Sequence, residues 1–278
     1  MKPLASSLKG TIMTSAINPT NSRSNALASL AASVRVELFA MLRNPASLVP
    51  TLLFPVMFWF FFGLPNAQAK SDSGFNIGAY ILASFATYSI IQTVLFNLGI
   101  FIAVERSSGW YRFLRTTPIR VWVLFSAKMI GVLLLGLIAL TLLLTIGALS
   151  AGIQLPFTTW LEIVGRALIA MLPFAALAVA IGYLAKGPQS ASPIINLIFF
   201  PMAFGSGLFI PLDGLPKVVQ DVAPYLPAYH AGEFVRRTIG AGQRSSDLEN
   251  LLWLAGYTIV FLALAVWAYK RDEGTNYR

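Results

Sequence analysis

The chain has 278 residues, of which 56% are hydrophobic and 11% charged, with a mean hydropathy of +0.71. An ordinary globular chain is roughly 45–50% apolar and about 25% charged, so a water-soluble fold is excluded. The net charge is +9 and there is no cysteine, which removes disulfides, iron–sulfur clusters, cysteine-bound metals and thiol nucleophiles from consideration.

Residues 1–25 are polar, are broken by Pro19 and lack the apolar run of a signal peptide, and are expected to form a flexible cytoplasmic tail. From 26 to 44 the pattern changes. Leu27, Leu30, Val34, Leu38 and Met41 recur at spacings of 3 and 4, while Ser29, Ser33 and Glu37 line another face. That pattern predicts an amphipathic helix in the membrane surface, with Arg35 and Arg43 near the headgroups and a stop at Asn44-Pro45. An extension of the first span is the alternative reading.

Six stretches free of Asp, Glu, Lys and Arg follow, at 44–69, 73–104, 129–161, 167–185, 187–212 and 250–269. Each holds one crossing of about 20 residues, and none comfortably holds two. They are apolar all round, which excludes the alternating strands of a β-barrel. The expected fold is therefore an all-α membrane protein, with a six-helix transmembrane domain over 45–270 and a cytoplasmic tail at 271–278. With both termini inside, 14 Lys and Arg fall on the cytoplasmic side and 6 on the other. This bias sets the orientation, and it accounts for the basicity through attraction to anionic lipids without nucleic acid.

The first span, about 48–64, carries Pro50 and Pro55 and ends in Phe58, Trp59, Phe60, Phe61 and Phe62. A kinked helix is expected, and Phe58 and Phe61 are candidates for an apolar path, although aromatics also gather at interfaces. The later spans are placed at about 75–103, 121–149, 163–184, 193–210 and 251–269. Gln92, Asn97 and Asn196 are polar groups within them, suited to interhelical hydrogen bonds or to contact with cargo. Lys128 is expected to snorkel to the surface, and Glu162 to pair with Arg166 one turn on.

Two connections are long enough to have a job. On the cytoplasmic side, 105–117 reads as a short amphipathic helix. Glu105, Ser108, Arg112 and Arg115 share one face, Trp110, Phe113 and Leu114 share another, and Pro118 follows. On the far side, 211–240 is punctuated by Pro211, Pro216, Pro224 and Pro227 and suggests short helices dipping partly into the outer leaflet. Within it, 231–240 reads as an interfacial helix and His230 as an interfacial side chain. A lone histidine with no cysteine supports neither a metal site nor a triad.

The nearest approach to a phosphate-binding loop, Gly182 to Gly187, has Pro188 where lysine is required, so no ATP site is expected. No catalytic residues, bound cofactor or metal are expected in this chain.

The run Glu105-Arg106-Ser107-Ser108-Gly109-Trp110, then Phe113-Leu114-Arg115-Thr116-Thr117-Pro118, then Lys128, resembles the segment between the second and third helices of type-2 ABC transporter permeases. The stretch Ser206-Gly207-Leu208-Phe209-Ile210-Pro211, through Leu215-Pro216 and Leu226-Pro227 to Arg236, is similar to the far-side segment after that family's fifth helix. Ser107-Ser108 departs from the further charged residue that many members carry. The resemblance implies an exporter of two permeases, identical or related, and two ABC-type ATPase subunits that bind ATP and magnesium. It implies a plasma-membrane location, the inner membrane in a bacterium. It makes 105–117 the coupling helix, with Glu105, Arg106, Trp110, Arg112, Phe113 and Arg115 as candidate docking residues. It makes Phe58, Phe61, Gln92, Asn97 and Asn196 candidates for the translocation path, and Pro211, Leu215, Pro216 and Tyr225 candidates for a far-side gate. An apolar drug-like molecule or lipid is the expected cargo, with a polysaccharide or other glycoconjugate as alternative. An ion-gradient carrier is the competing class, opposed by the lack of a buried carboxylate. A non-transporting module that recruits other proteins is the third.

Overall fold

The computed structural model describes residues 22–70, 74–108, 121–242 and 244–276. Beyond Ser108, the expected coupling helix, with Trp110, Arg112, Phe113 and Arg115, lies outside the described residues.

The structure is helical. Helix α1 (Ser22–Leu42) is followed by a break at Asn44, whose backbone is extended, and Pro45 opens α2 (Pro45–Phe58). Proline suits that first turn because its missing N–H has no partner there anyway. Helix α2 carries Pro50 and Pro55 inside and continues through a π turn at Trp59–Gly63 and a 3-10 turn at Leu64–Asn66. Asn76 caps α3 (Ile77–Thr93) by accepting from the Ala79 N–H at 2.8 Å. A second π turn at Val94–Leu98 joins α3 to α4 (Gly99–Ser107). Then come α5 (Val121–Ala151), α6 (Phe157–Ala170), α7 (Leu172–Leu184) and α8 (Pro188–Gly205). Two short helices, α9 (Lys217–Val222) and α10 (Pro227–Arg236), precede the final α11 (Asp247–Asn276).

Five helical stretches are long and apolar enough to cross a membrane: 45–66, 77–107, 123–151, 157–184 and 247–272. The fourth starts at Phe157, earlier than expected, because Glu162 and Arg166 sit within its first turns and do not bound it. The expected fifth span is the 18-residue α8, which holds Gln189, Ser190, Ser192, Asn196, Pro193 and Pro201 and is less apolar than the other five.

The core is built around α3, buried on every side from Gly78 to Thr93. It packs against α5, α6, α10 and α2. Helix α7 lies along α11, and α4 crosses α7 where both backbones are bare: a Cβ on Gly182 would stand 2.7 Å from the Ile102 Cβ and 3.0 Å from the Gly99 carbonyl. Small residues at a crossing are how helices approach closely in lipid, where packing and not water exclusion drives association.

The segment after α8 is more enclosed by protein than its composition suggests. Every residue of α10 from Pro227 to Arg236 is buried, including Glu233 and Arg236, because α3, α6 and α11 enclose it. His230 is likewise buried, with Nε2 2.8 Å from the Pro224 carbonyl, Nδ1 2.9 Å from Asn250 Oδ1 and its ring stacked on Trp253.

Candidate functional site

A cavity of about 440 Å³ opens between α2, the α3–α4 helix and α8, within the range of small-molecule sites. Three of the sequence-nominated path residues, Gln92, Asn97 and Asn196, meet in its wall, with Ser47, Thr51 and Ser192. Apolar surface from Pro50, Phe54, Phe96, Ile100 and Phe200 supplies the rest.

The π turn explains why Gln92 and Asn97 face the same way. In a regular α-helix residues five apart are rotated by about 140°. The turn at 94–98 adds one residue to the helical repeat and removes most of that difference. Asn97 is then committed to its neighbours. Its amide N–H groups donate to Thr51 Oγ1 at 3.1 Å and the Thr93 carbonyl at 3.0 Å, and its Oδ1 accepts from Ser47 Oγ. Gln92 is bound at one end only: Nε2 donates to the Pro50 carbonyl at 3.4 Å, while Oε1, also buried, has no partner among the described residues. Asn196, half-buried, makes no hydrogen bond among them.

Above the cavity the aromatic rings close ranks. Phe54 meets Phe58 at 6.1 Å, and Phe58 meets Phe209 at 5.0 Å and Tyr88 at 5.6 Å. Phe209 stacks on Phe204 at 4.3 Å, and Phe199 joins Phe96 in the cavity wall to Tyr88. Phe58 therefore belongs to a plug of rings, whereas Phe61 is 68% exposed and faces away from both plug and cavity. Beyond the plug, the buried Arg236 guanidinium bonds Glu233 at 2.9 Å, Ser84 Oγ at 3.2 Å and the Gly207 carbonyl at 3.4 Å, over the face of Tyr80. Gly232 makes room for it: a Cβ there would lie 2.7 Å from a guanidinium nitrogen. The four gate candidates differ in burial. Pro211 and Leu215 are half-buried, and Pro216 and Tyr225 are exposed.

Below the cavity two ionic clusters stand at the base of 105–117. Lys128 does not snorkel; it is 3% exposed, bonds Glu105 at 2.7 Å and Glu37 at 3.2 Å, and lies over the Phe101 ring at 4.1 Å. Glu37 from α1 thus shares one ammonium with Glu105 from α4, and burial pushes its carboxyl above the ordinary value despite Lys128. Arg106 donates to the Tyr183 and Ala185 carbonyls at the end of α7 and pairs with Asp272 near the end of α11 at 3.3 Å. Both described docking candidates therefore tie the root of that segment to α1, α5, α7 and α11. The expected Glu162–Arg166 pair does not form, because Arg166 turns to Asp247 at 2.7 and 3.2 Å and to the Phe234 carbonyl at 2.9 Å. Nothing local marks these partners in the sequence, since Glu37 and Lys128 are 91 residues apart.

The fold defines an all-helical membrane protein with a cavity between three of its helices. The sequence supplies the family: residues 5–267 match the ABC-2 family transporter protein, and the chain belongs to that family of ABC transporter permeases. It is 29% identical to the putative transport permease YvfS of Bacillus subtilis (strain 168), over 85% of this chain and 95% of that protein. It is 21% identical to the daunorubicin resistance ABC transporter permease protein DrrB1 of Streptomyces coeruleorubidus, over 85% of this chain and 84% of that protein.

Proposed function

We propose that the chain is the membrane half of an ATP-driven exporter, working as a pair of permeases with separate ABC-type ATPase subunits that carry ATP and magnesium, in a plasma membrane with both termini cytoplasmic. The cavity carries the reading: it gathers polar and apolar groups between α2, the α3–α4 helix and α8, and aromatic rings close it toward the far side. In this reading a hydrophobic drug-like molecule or lipid enters there, the ring plug opens, and cargo leaves past α9 and α10. The name of the Streptomyces relative favours a drug.

Six crossings fit this reading, with α8 as the fifth. Energy would enter at 105–117 and pass into the bundle through Glu105 and Arg106, whose partners lie on α5, α7 and α11. A site influences another only through contacts that differ between two states, and these ties are where such a difference can be transmitted. The test is co-purification with a nucleotide-binding subunit, followed by charge reversal of Arg112 and Arg115. Loss of cargo-stimulated ATP hydrolysis is expected, and transport by the purified chain without nucleotide would overturn the proposal.

A further inference from the structure

We propose that the α2–α3–α8 cavity selects an uncharged amphiphile that donates a hydrogen bond, with Gln92 Oε1 as the acceptor that receives it. The inference rests on the exporter reading for the site's purpose and adds the chemistry of the guest.

The orientation of Gln92 follows from its neighbour. The Pro50 carbonyl can only accept, so the amide must turn Nε2 toward it, leaving Oε1 as the free end. That oxygen belongs to a cavity-lining side chain that is 4% exposed, its own surface is closed off in this state, and it has no partner among the described residues, so a guest reaches it by shifting the Gln92 side chain. A buried acceptor without a donor is costly, and the missing donor is what a guest supplies. The other wall amide of the same helix does not compete for it, because Asn97 is bonded at both ends. Across the cavity, Asn196 and Ser192 on α8 offer secondary polar contacts at half-buried positions.

No Asp, Glu, Lys or Arg is among the cavity-lining residues. Of the charges that adjoin the wall, Glu105 and Lys128 are bonded to each other behind Phe101, and Arg43, next to Asn44, lies over the Phe39 ring at 5.9 Å. An ammonium or carboxylate brought into this apolar site would lose water with no counter-charge to meet it. A neutral guest with a hydroxyl or N–H beside a flat or aliphatic body meets every surface on offer: the free oxygen, the Phe54, Phe96 and Phe200 rings, and the Ile100 and Pro50 flanks.

Three probes of nearly equal size separate the terms: 9-anthracenemethanol, its methyl ether, and 9-(aminomethyl)anthracene, which is cationic at neutral pH. Each is titrated by fluorescence anisotropy into the full chain in lipid nanodiscs, with empty nanodiscs subtracted. The alcohol is expected to bind saturably and about tenfold more tightly than the ether, the size of one well-made hydrogen bond to a buried acceptor. The amine is expected to bind no better than the ether. Gln92→Met, which keeps the length and loses the oxygen, should bring the alcohol down to the ether without weakening the ether. Equal alcohol and ether affinities on the unaltered chain, a preference for the amine, or no saturable binding at all would each overturn the proposal without reference to a variant. Co-purification of a nucleotide-binding subunit is measured in parallel. Its failure removes the exporter reading and leaves the binding result standing, whereas lost discrimination beside an intact ATPase complex removes only the present inference.

Discussion

Single side chains in this protein carry charge where a membrane bundle can least tolerate it unpaired. Arg236 is wholly buried and its salt-bridge partner is Glu233, one turn back on the same short helix. Removing one member of a buried pair leaves the other charge in the interior, at a cost of about 3–5 kcal/mol, whereas replacing both by apolar residues is often close to neutral. Arg236→Met is therefore expected to lower the thermal midpoint in detergent far more than Arg236→Met combined with Glu233→Met. Equal losses would mean that the guanidinium acts through Ser84 and Gly207 and not through its carboxylate. Glu37 makes a different prediction. Its carboxyl is raised above the ordinary carboxylate value, chiefly by burial, with Lys128 opposing and Glu105 reinforcing the shift. The folded state thus holds this proton more tightly than the unfolded chain does, so its contribution to stability is present below the unfolded pKa and fades as pH rises through the raised folded one. The protection of α1 against hydrogen exchange, taken relative to the intrinsic base-catalysed rate, should fall as pH rises through that range, and Glu37→Gln should flatten that part of the profile. An unchanged slope in the variant would assign the dependence to another group.

At the level of helices, what could be read in advance was what local composition determines. Runs without charge marked the long elements after α1, and Asn44-Pro45 marked the break between α1 and α2, because backbone desolvation and proline geometry act over a few residues. The π turn at 94–98 could not be read that way. A helical wheel assumes 3.6 residues per turn, and on that assumption Gln92 and Asn97 point apart. Nor could the burial of α10 be anticipated, since Glu233 and Arg236 look like surface charges until Ser84 on α3 and the Gly207 carbonyl close around them; the burial comes from contacts with α3, α6 and α11. The π turn has a mechanical consequence. It is one residue more than an α-helix needs, so deleting Phe96 within it restores regular bonding while leaving α3 and α4 in their present rotation. Deleting Phe85 in the regular part of α3 turns half of that buried helix by about 100° against its packing. The Phe96 deletion should still give a monodisperse, membrane-inserted protein by size exclusion in detergent, and the Phe85 deletion should not. If both fail alike, the turn is a packing necessity and not a spare residue.

The whole molecule raises the question of how often the chain crosses the bilayer, and the ionic ties constrain the answer. Arg106 joins the end of α4 to the ends of α7 and α11, so these three termini share one level. Arg166, in the first half of the 157–184 stretch, is joined to Phe234 and to Asp247 at the start of α11. Helix α11 has 30 residues, which puts its two ends at opposite levels. Between Ala185 at one level and Asp247 at the other, the described elements are α8 with 18 residues, α9 with 6, α10 with 10, and single 3-10 turns. At 1.5 Å per residue α8 is about 27 Å long, near the roughly 30 Å of a hydrocarbon core, so in the six-crossing reading α8 is the element that carries the chain across. Its polar Ser192 and Asn196 face the cavity side of such a crossing, where lipid does not have to accept them. The chain contains no cysteine, which makes single-cysteine labelling clean. Cysteines are placed at Ser29, Ser108, Tyr225 and Lys270, all exposed, and challenged with a membrane-impermeant maleimide in intact cells and in inverted vesicles. Six crossings require 29, 108 and 270 to label together and 225 to label from the other side. Labelling of 225 together with 108, and of 270 from the opposite side, would mean that α8 turns back within one leaflet and that the two termini lie on different sides of the membrane.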